Sequence, residues 1–314
     1  MQVTTWHQLL VGASVGNLVL YAWAIAFKRL PPTADPSRRA LQTKMYVLAA
    51  PMVLQCTWRS VFPSLYLQRF TFYDTPLNSI MVDRTLACVG ELSWNGALAL
   101  CLAHVDAELT GGRRWVRLSA WALFLTYVAA ECFSYYNTAT TNELWAAIEV
   151  GTDAVSQVMA LPASLALASG LRTQGRLRTT GGTFVLLFCL LAVVYPLYNF
   201  FIDVPMYMDR YRADQAAHKS YLPLLVGLRD AATRRVPTQL QEDWQDDMSW
   251  MVMYFVFNPL GSIALTTAPT IKAMHGHAAH GKSSRTAPQI KAEEQPKATA
   301  AERLLCPKLS VNAA

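Results

Sequence analysis

Charge is what this chain has least of. Asp, Glu, Lys and Arg make up 15% of its 314 residues, where an ordinary soluble domain carries about 25%. Hydrophobic residues reach 53%, and that imbalance excludes a typical soluble domain in favour of the membrane class. The net charge of +6 gathers on no basic face of a soluble module, which excludes nucleic acid as a partner. No Cys-x-x-Cys spacing occurs, and no two of the six cysteines share one connecting loop. A disulfide framework and a zinc site are therefore not expected. Only His7 and His104 touch the apolar runs, at opposite ends, and no His-x-x-x-His or Glu-x-x-His pair lies in them. Haem, di-iron and zinc centres need such ligands, so neither metal nor cofactor is expected. The last apolar run holds no lysine before Lys272, which rules out a retinal Schiff base at mid-membrane. Basic residues are also missing ahead of the first run, where a secretory signal would have them.

The apolar runs are long. A membrane helix needs about 20 mostly apolar residues, and on that measure spans are expected near 7–27, 45–63, 79–104, 116–136, 143–169, 182–202 and 248–271. The expected fold is all-α, a polytopic seven-transmembrane-helix bundle over residues 1–274. Lys28, Arg29, Arg38, Arg39 and Lys44 follow span one, Arg113, Arg114 and Arg117 follow span three, and Arg172, Arg176 and Arg178 follow span five. The alternate connections are nearly free of basic residues. The positive-inside rule then places the N-terminus outside and the C-terminus in the cytoplasm. Residues 275–314 are rich in Ala, Lys, Glu, Pro and Ser and are expected to be a disordered tail. The external connection 203–247 is the longest. Its apolar stretch Tyr221–Leu228 is too short to span, so it should lie at the interface or fold over the bundle. The acids Glu242, Asp243, Asp246 and Asp247 just before span seven suit a helix N-terminus.

Helix periodicity puts i, i+4 and i+7 on one face, and every span shows a polar or aromatic seam at that spacing. His7, Ser14 and Tyr21 line span one; Gln55 and Arg59 line span two; Arg84, Glu91 and Asn95 line span three. Span four sets out Tyr127, Glu131 and Tyr135, and span five Trp145, Glu149 and Asp153. Tyr195, Asn199 and Asp203 follow in span six, then Trp250, Tyr254 and Asn258 in span seven. Lipid does not tolerate such seams, so they should converge. A carboxylate at membrane depth costs about 3 kcal/mol on insertion scales. Arg59 and Arg84 against Glu91, Glu131, Glu149 and Asp153 leave unbalanced negative charge, and like charges in a dry site raise one another's pKa. Most of these groups fall in the external half of the bilayer, which predicts a pocket open to the outside and closed toward the cytosol.

A protonated Glu in such a pocket is a usable general acid, and aromatic faces stabilise positive charge developing on an isoprenoid or sterol skeleton. The first expectation is therefore an integral-membrane enzyme acting on an apolar lipid substrate. Glu91, Glu131, Glu149 and Asp153 would be the catalytic acids. Arg59, Arg84, Trp94, Asn95, Tyr135, Trp145, Tyr195, Asn199, Tyr254 and Asn258 would shape the substrate site. A proton- or cation-coupled transporter using the same carboxylates is the alternative, with Pro51, Pro162, Pro196 and Pro259 as possible helix breaks. Gly16-Asn17 and Asn258-Pro259 resemble dipeptides of the G-protein-coupled receptors, which would imply a seven-span receptor. Span three ends His104-Val-Asp-Ala-Glu108 instead of that family's acidic-Arg-aromatic triplet, and no Tyr follows at the family's offset.

Overall fold

A computed structural model describes residues 2–271; the expected disordered tail, with His275, His277 and His280, lies outside the described residues. The long helices are α1 Val3–Phe27, α2 Pro36–Val61, α3 Ile80–Thr110, α4 Arg114–Thr140, α5 Glu143–Thr173, α6 Thr180–Tyr198 and, last, α10 Met248–Leu265. Local chemistry sets their starts. Asp35 accepts from the Ser37 N–H ahead of Pro36, Ser79 from Val82, Asn142 from Leu144 and Thr179 from Gly182, each satisfying an amide the helix leaves orphaned. Gly111 ends α3 in the left-handed region at φ 86°, where glycine has no Cβ to clash.

Six of the helical segments are long and apolar enough to cross a membrane: Val3–Phe27, Ile80–Thr110, Arg114–Thr140, Glu143–Thr173, Gly181–Ala216 and Met248–Thr270. This is consistent with a multi-pass membrane protein. Helix α2 has the length, 26 residues, but not the apolarity. The reason is its place: it packs on α1, α3 and α10, and it buries Gln42, Gln55, Arg59 and Ser60 where lipid does not reach. The outward surface carries Val15, Val19, Phe27, Leu125, Phe201 and Phe257, each more than half exposed. Water would not tolerate so much continuous apolar surface; hydrocarbon would.

Successive helices pack side by side from α1 to α6, and α10 closes against α1, α2 and α3. Two apolar clusters fill the interior. One, centred on Leu98, Leu102, Leu123, Leu167 and Phe188, occupies the half near the 111–113 turn. The other gathers Trp6, Met52, Phe72, Trp244, Met251 and Phe255 at the opposite end.

That second end is capped by folded chain. The expected connection 203–247 is largely helical: a π turn Asn199–Asp203 carries α6 directly into α7 Val204–Ala216, followed by α8 Leu224–Thr233 and the short α9 Gln241–Trp244. The π turn ends two residues before Pro205, whose ring removes a helix N–H and favours a local change of register. Between α2 and α3, β1 Ser64–Leu65 pairs antiparallel with β2 Phe70–Thr71, and β2 pairs parallel with β3 Val236–Pro237. Arg69, 1% exposed and at φ 61°, ties these pieces together. Its guanidinium donates to the carbonyls of Tyr66 and Thr138 at 2.7 Å, to that of Ala139 at 3.3 Å and to Asp230 at 2.9 Å. A cation is thus held on the last carbonyls of α4, the negative end of its dipole. Helix α8 lies against the same helix end: a Cβ on Gly227 would stand 1.9 Å from the Ala139 carbonyl oxygen, so only glycine permits this approach. The apolar stretch 221–228 thus folds over the bundle, with Leu225 left 79% exposed.

Candidate functional site

The buried charges meet just beneath the cap. Arg59, near the end of α2, forms an ion pair with Asp83 in the first turn of α3, Nε to Oδ1 2.9 Å. The Ser64 hydroxyl donates to the other Asp83 oxygen at 2.5 Å. One residue on, Arg84 crosses to two acids: Glu91 on its own helix at 3.0 Å, and Glu131 on α4 in direct contact. Glu91 also accepts from the Tyr254 hydroxyl of α10. Four helices are joined through these groups, all inside the bundle. Pairing is what makes such burial tolerable, since a lone charge there would cost several kcal/mol.

Aromatic rings sheathe the arginines. The Arg59 guanidinium lies 5.6, 5.3 and 5.1 Å from the ring centres of Tyr66, Tyr254 and Phe255, and that of Arg84 lies 5.9 Å from Tyr66 and from Tyr135. These faces already hold cations, so they are not free for positive charge on a substrate.

A cavity of about 180 Å³ opens among these groups, lined by Arg59, Arg84, Glu91, Glu149 and Tyr254 with Tyr66, Asn137, Tyr207, Arg210, Asp247 and Trp250. Glu91 stands 11 residues into α3, roughly 16 Å along its axis, so the cavity reaches well into the bundle. Glu149 faces it with no ion pair among the described residues. Asp247, at the start of α10, accepts from the Trp250 indole at 2.6 Å; burial pushes its carboxyl up from the ordinary range, and that hydrogen bond opposes the shift. A second cavity of about 360 Å³ adjoins the first through Arg210, Asp247 and Trp250, and runs between Tyr198, Ile202, Asp203 and Met206 on one side and Asp246 and Ser249 on the other.

The residues expected at the site divide into three groups. Arg59, Arg84, Glu91, Glu149 and Tyr254 line the cavity. Glu131 and Tyr135 stand behind them, against Arg84. The others lie elsewhere. Asp153 accepts from Tyr195 at 2.5 Å, outside the cavity wall. Asn199 donates to the Val150 carbonyl at 3.4 Å. Asn95 bonds the Glu91 carbonyl and accepts from Gln157 at 3.2 Å. Trp94 packs between the two apolar clusters, close enough to Gly261 that a Cβ there would stand 2.7 Å from its ring. Trp145 stacks on Phe133 at 5.7 Å, and Asn258 lies outside both cavities.

Sequence reasoning passed over Asp83, Tyr66, Tyr207 and Arg210. Asp83 had a signal: Arg59 needed a counter-ion, and Asp83 lies within the expected third span. Tyr207 and Arg210 had none while 203–247 was taken for a loop. Compared with known protein families, with curated proteins and with solved structures, the chain matches none.

Proposed function

We propose that this protein is an integral-membrane enzyme that works on a lipid substrate by carboxylate general acid/base chemistry, with Glu149 as the group that exchanges the proton. The observation that carries the reading is the position of Glu149: an acid in the wall of a membrane-depth cavity, without an arginine in contact, beside a charge network fixed by pairing. Arg84 is committed to Glu91 and Glu131 and Arg59 to Asp83. Those groups supply a fixed field, while Glu149 keeps its proton exchangeable. Because the rings around the arginines are occupied, the substrate's polar end, and not a cation on its hydrocarbon, is what the cavity suits.

On this reading α2 is a seventh span, its polar face turned inward. The N-terminus and the cap lie outside, the C-terminus in the cytoplasm, and the cavity opens outward. The apolar cluster around Leu102, Leu123 and Leu167 fills the cytoplasmic half, which supports an enzyme over a carrier.

Lipid mass spectrometry tests this on cells with the wild-type chain, with Glu149→Gln, and with neither. The wild type should shift one lipid class and Glu149→Gln should abolish the shift at equal expression. An unchanged lipidome with the wild type would overturn the proposal. A proton- or cation-coupled carrier is the second reading, favoured by the π turn behind Tyr207 and Arg210, a break of the kind found in moving helices. Proteoliposomes showing pH-dependent flux without product would establish it instead.

A further inference from the structure

The two adjoining cavities and the charges at their junction narrow the ligand further. Arg59 is balanced by Asp83, whereas Arg84 faces two carboxylates. Arg210 forms no ion pair among the described residues, and it shares the cavities with Asp247 and, in the first, Glu149. Asp203 and Asp246 also line the second cavity, so with every group ionised the two cavities and the groups paired at their wall hold an excess of four negative charges, which disfavours a ligand that is only an anion.

Two residues of the first cavity's wall also carry an unsatisfied polar atom. Arg84 is 3% exposed, lines the first cavity, and its Nε–H has no acceptor among the described residues. The Asn137 side-chain oxygen, on the same wall, also lacks a partner among the described residues. Buried polar groups are seldom left so unless a ligand or water meets them. Of the lining rings, Tyr66, Tyr254 and Tyr207 each have an arginine over them; Trp250, at the junction, has no cation over it among the described residues.

The second cavity shows where the rest of the ligand would go. Helix α7 packs on α5 and α6 on α5, whereas α10 packs on α1, α2 and α3. The cavity lies along the flank between these two groups, beside Tyr198 and Ile202, which are 43% and 53% exposed on the apolar surface. On the lipid reading, a chain would leave on the Tyr198–Ile202 side, which borders the apolar surface, while Asp203 and Asp246 line the rest of this passage.

We infer that the site binds a zwitterionic lipid that bears a phosphate and an ammonium. The ammonium lies among Glu149, Asp247 and the Trp250 face, the phosphate takes Arg210 and the free Nε–H of Arg84, and the acyl chain leaves between α6–α7 and α10. This rests on the lipid reading of the same cavity, but it concerns binding and needs no turnover.

The test uses the purified full chain in detergent, with retention read by native mass spectrometry. The probes are lysophosphatidylcholine, lysophosphatidic acid and monoacylglycerol of one chain length, with phosphocholine as the tail-less control. The zwitterionic lysolipid should be retained at least about tenfold more tightly than the other three. Equal retention, or preference for the acid or the glyceride, would overturn the inference. So would phosphocholine binding as well as the lysolipid, which would mark a soluble ligand. Arg210→Gln should remove the preference over monoacylglycerol, and Ser249→Trp, at an exposed position in the flank, should weaken the lysolipid at least about tenfold. Binding left intact in either variant, at an unchanged melting temperature, would count against it. Selective binding with an unchanged lipidome would leave this inference standing and remove the enzyme; turnover without selectivity would do the reverse.

Discussion

Arg69 holds more backbone than any other side chain at the capped end. Its fork spans the β1–β2 turn, the end of α4 and Asp230 of α8. Removing a buried charge from such a set leaves carbonyls and a carboxylate unmatched, at a cost of about 3–5 kcal/mol. Arg69→Met should therefore lower the thermal midpoint in detergent markedly. Arg69→Lys should recover less than half of the loss, because an ammonium cannot address several acceptors in one plane. Equal midpoints for Arg69→Lys and the wild type would mean that charge alone suffices. Nothing in the sequence singled this residue out: a lone arginine in a short connection reads as a solvated charge. Asp83 was lost for a related reason. An acid in the first turn of a helix ordinarily complements the dipole, and only the packing of α2 on α3 shows Arg59 opposite.

At the scale of elements, the long helices were legible because apolar runs of this length have few alternatives. The seams were legible because lipid punishes polar faces. The cap was not, since strands of two residues carry no period and α8 docks through one glycine's close approach and one ion pair, Arg69 to Asp230. Gly227→Ala should expose that docking: its Cβ has no room beside the Ala139 carbonyl, so α8 must shift, at about 1–3 kcal/mol. Limited proteolysis should then cut within 217–240 while the long helices stay intact; unchanged resistance would show that α8 can dock without the glycine. The link between α3 and α4 makes a second test. Arg84→Met strands Glu91 and Glu131, at about 3–5 kcal/mol, whereas adding Glu131→Gln removes one unpaired charge. The double variant should be more stable than Arg84→Met alone in chemical unfolding. Additive losses would mean the two groups do not interact.

For the whole molecule, the number of crossings turns on α2. Six segments satisfy length and apolarity, and an even count would put both ends of the chain on one side. Helix α2 is nevertheless 26 residues long, about 39 Å at 1.5 Å per residue; it packs on α1, α3 and α10 and leaves Val47 and Leu54 exposed on its outer face. Its buried arginine is already paired and its glutamines are enclosed by protein, so the penalty that lipid would exact on them does not arise. A crossing α2 separates Thr33, before it, from Asp74, after it. Membrane-impermeant maleimide on intact cells should label Asp74→Cys directly and Thr33→Cys only after permeabilisation, in a background whose native cysteines, among them the exposed Cys132, are replaced by serine. The basic residues Arg38, Arg39 and Lys44 beside Thr33 set that polarity. Labelling of both positions from one side would place α2 within one leaflet, reduce the crossings to six, and turn the cavity from an outward-facing site into one whose side the loop charges do not decide.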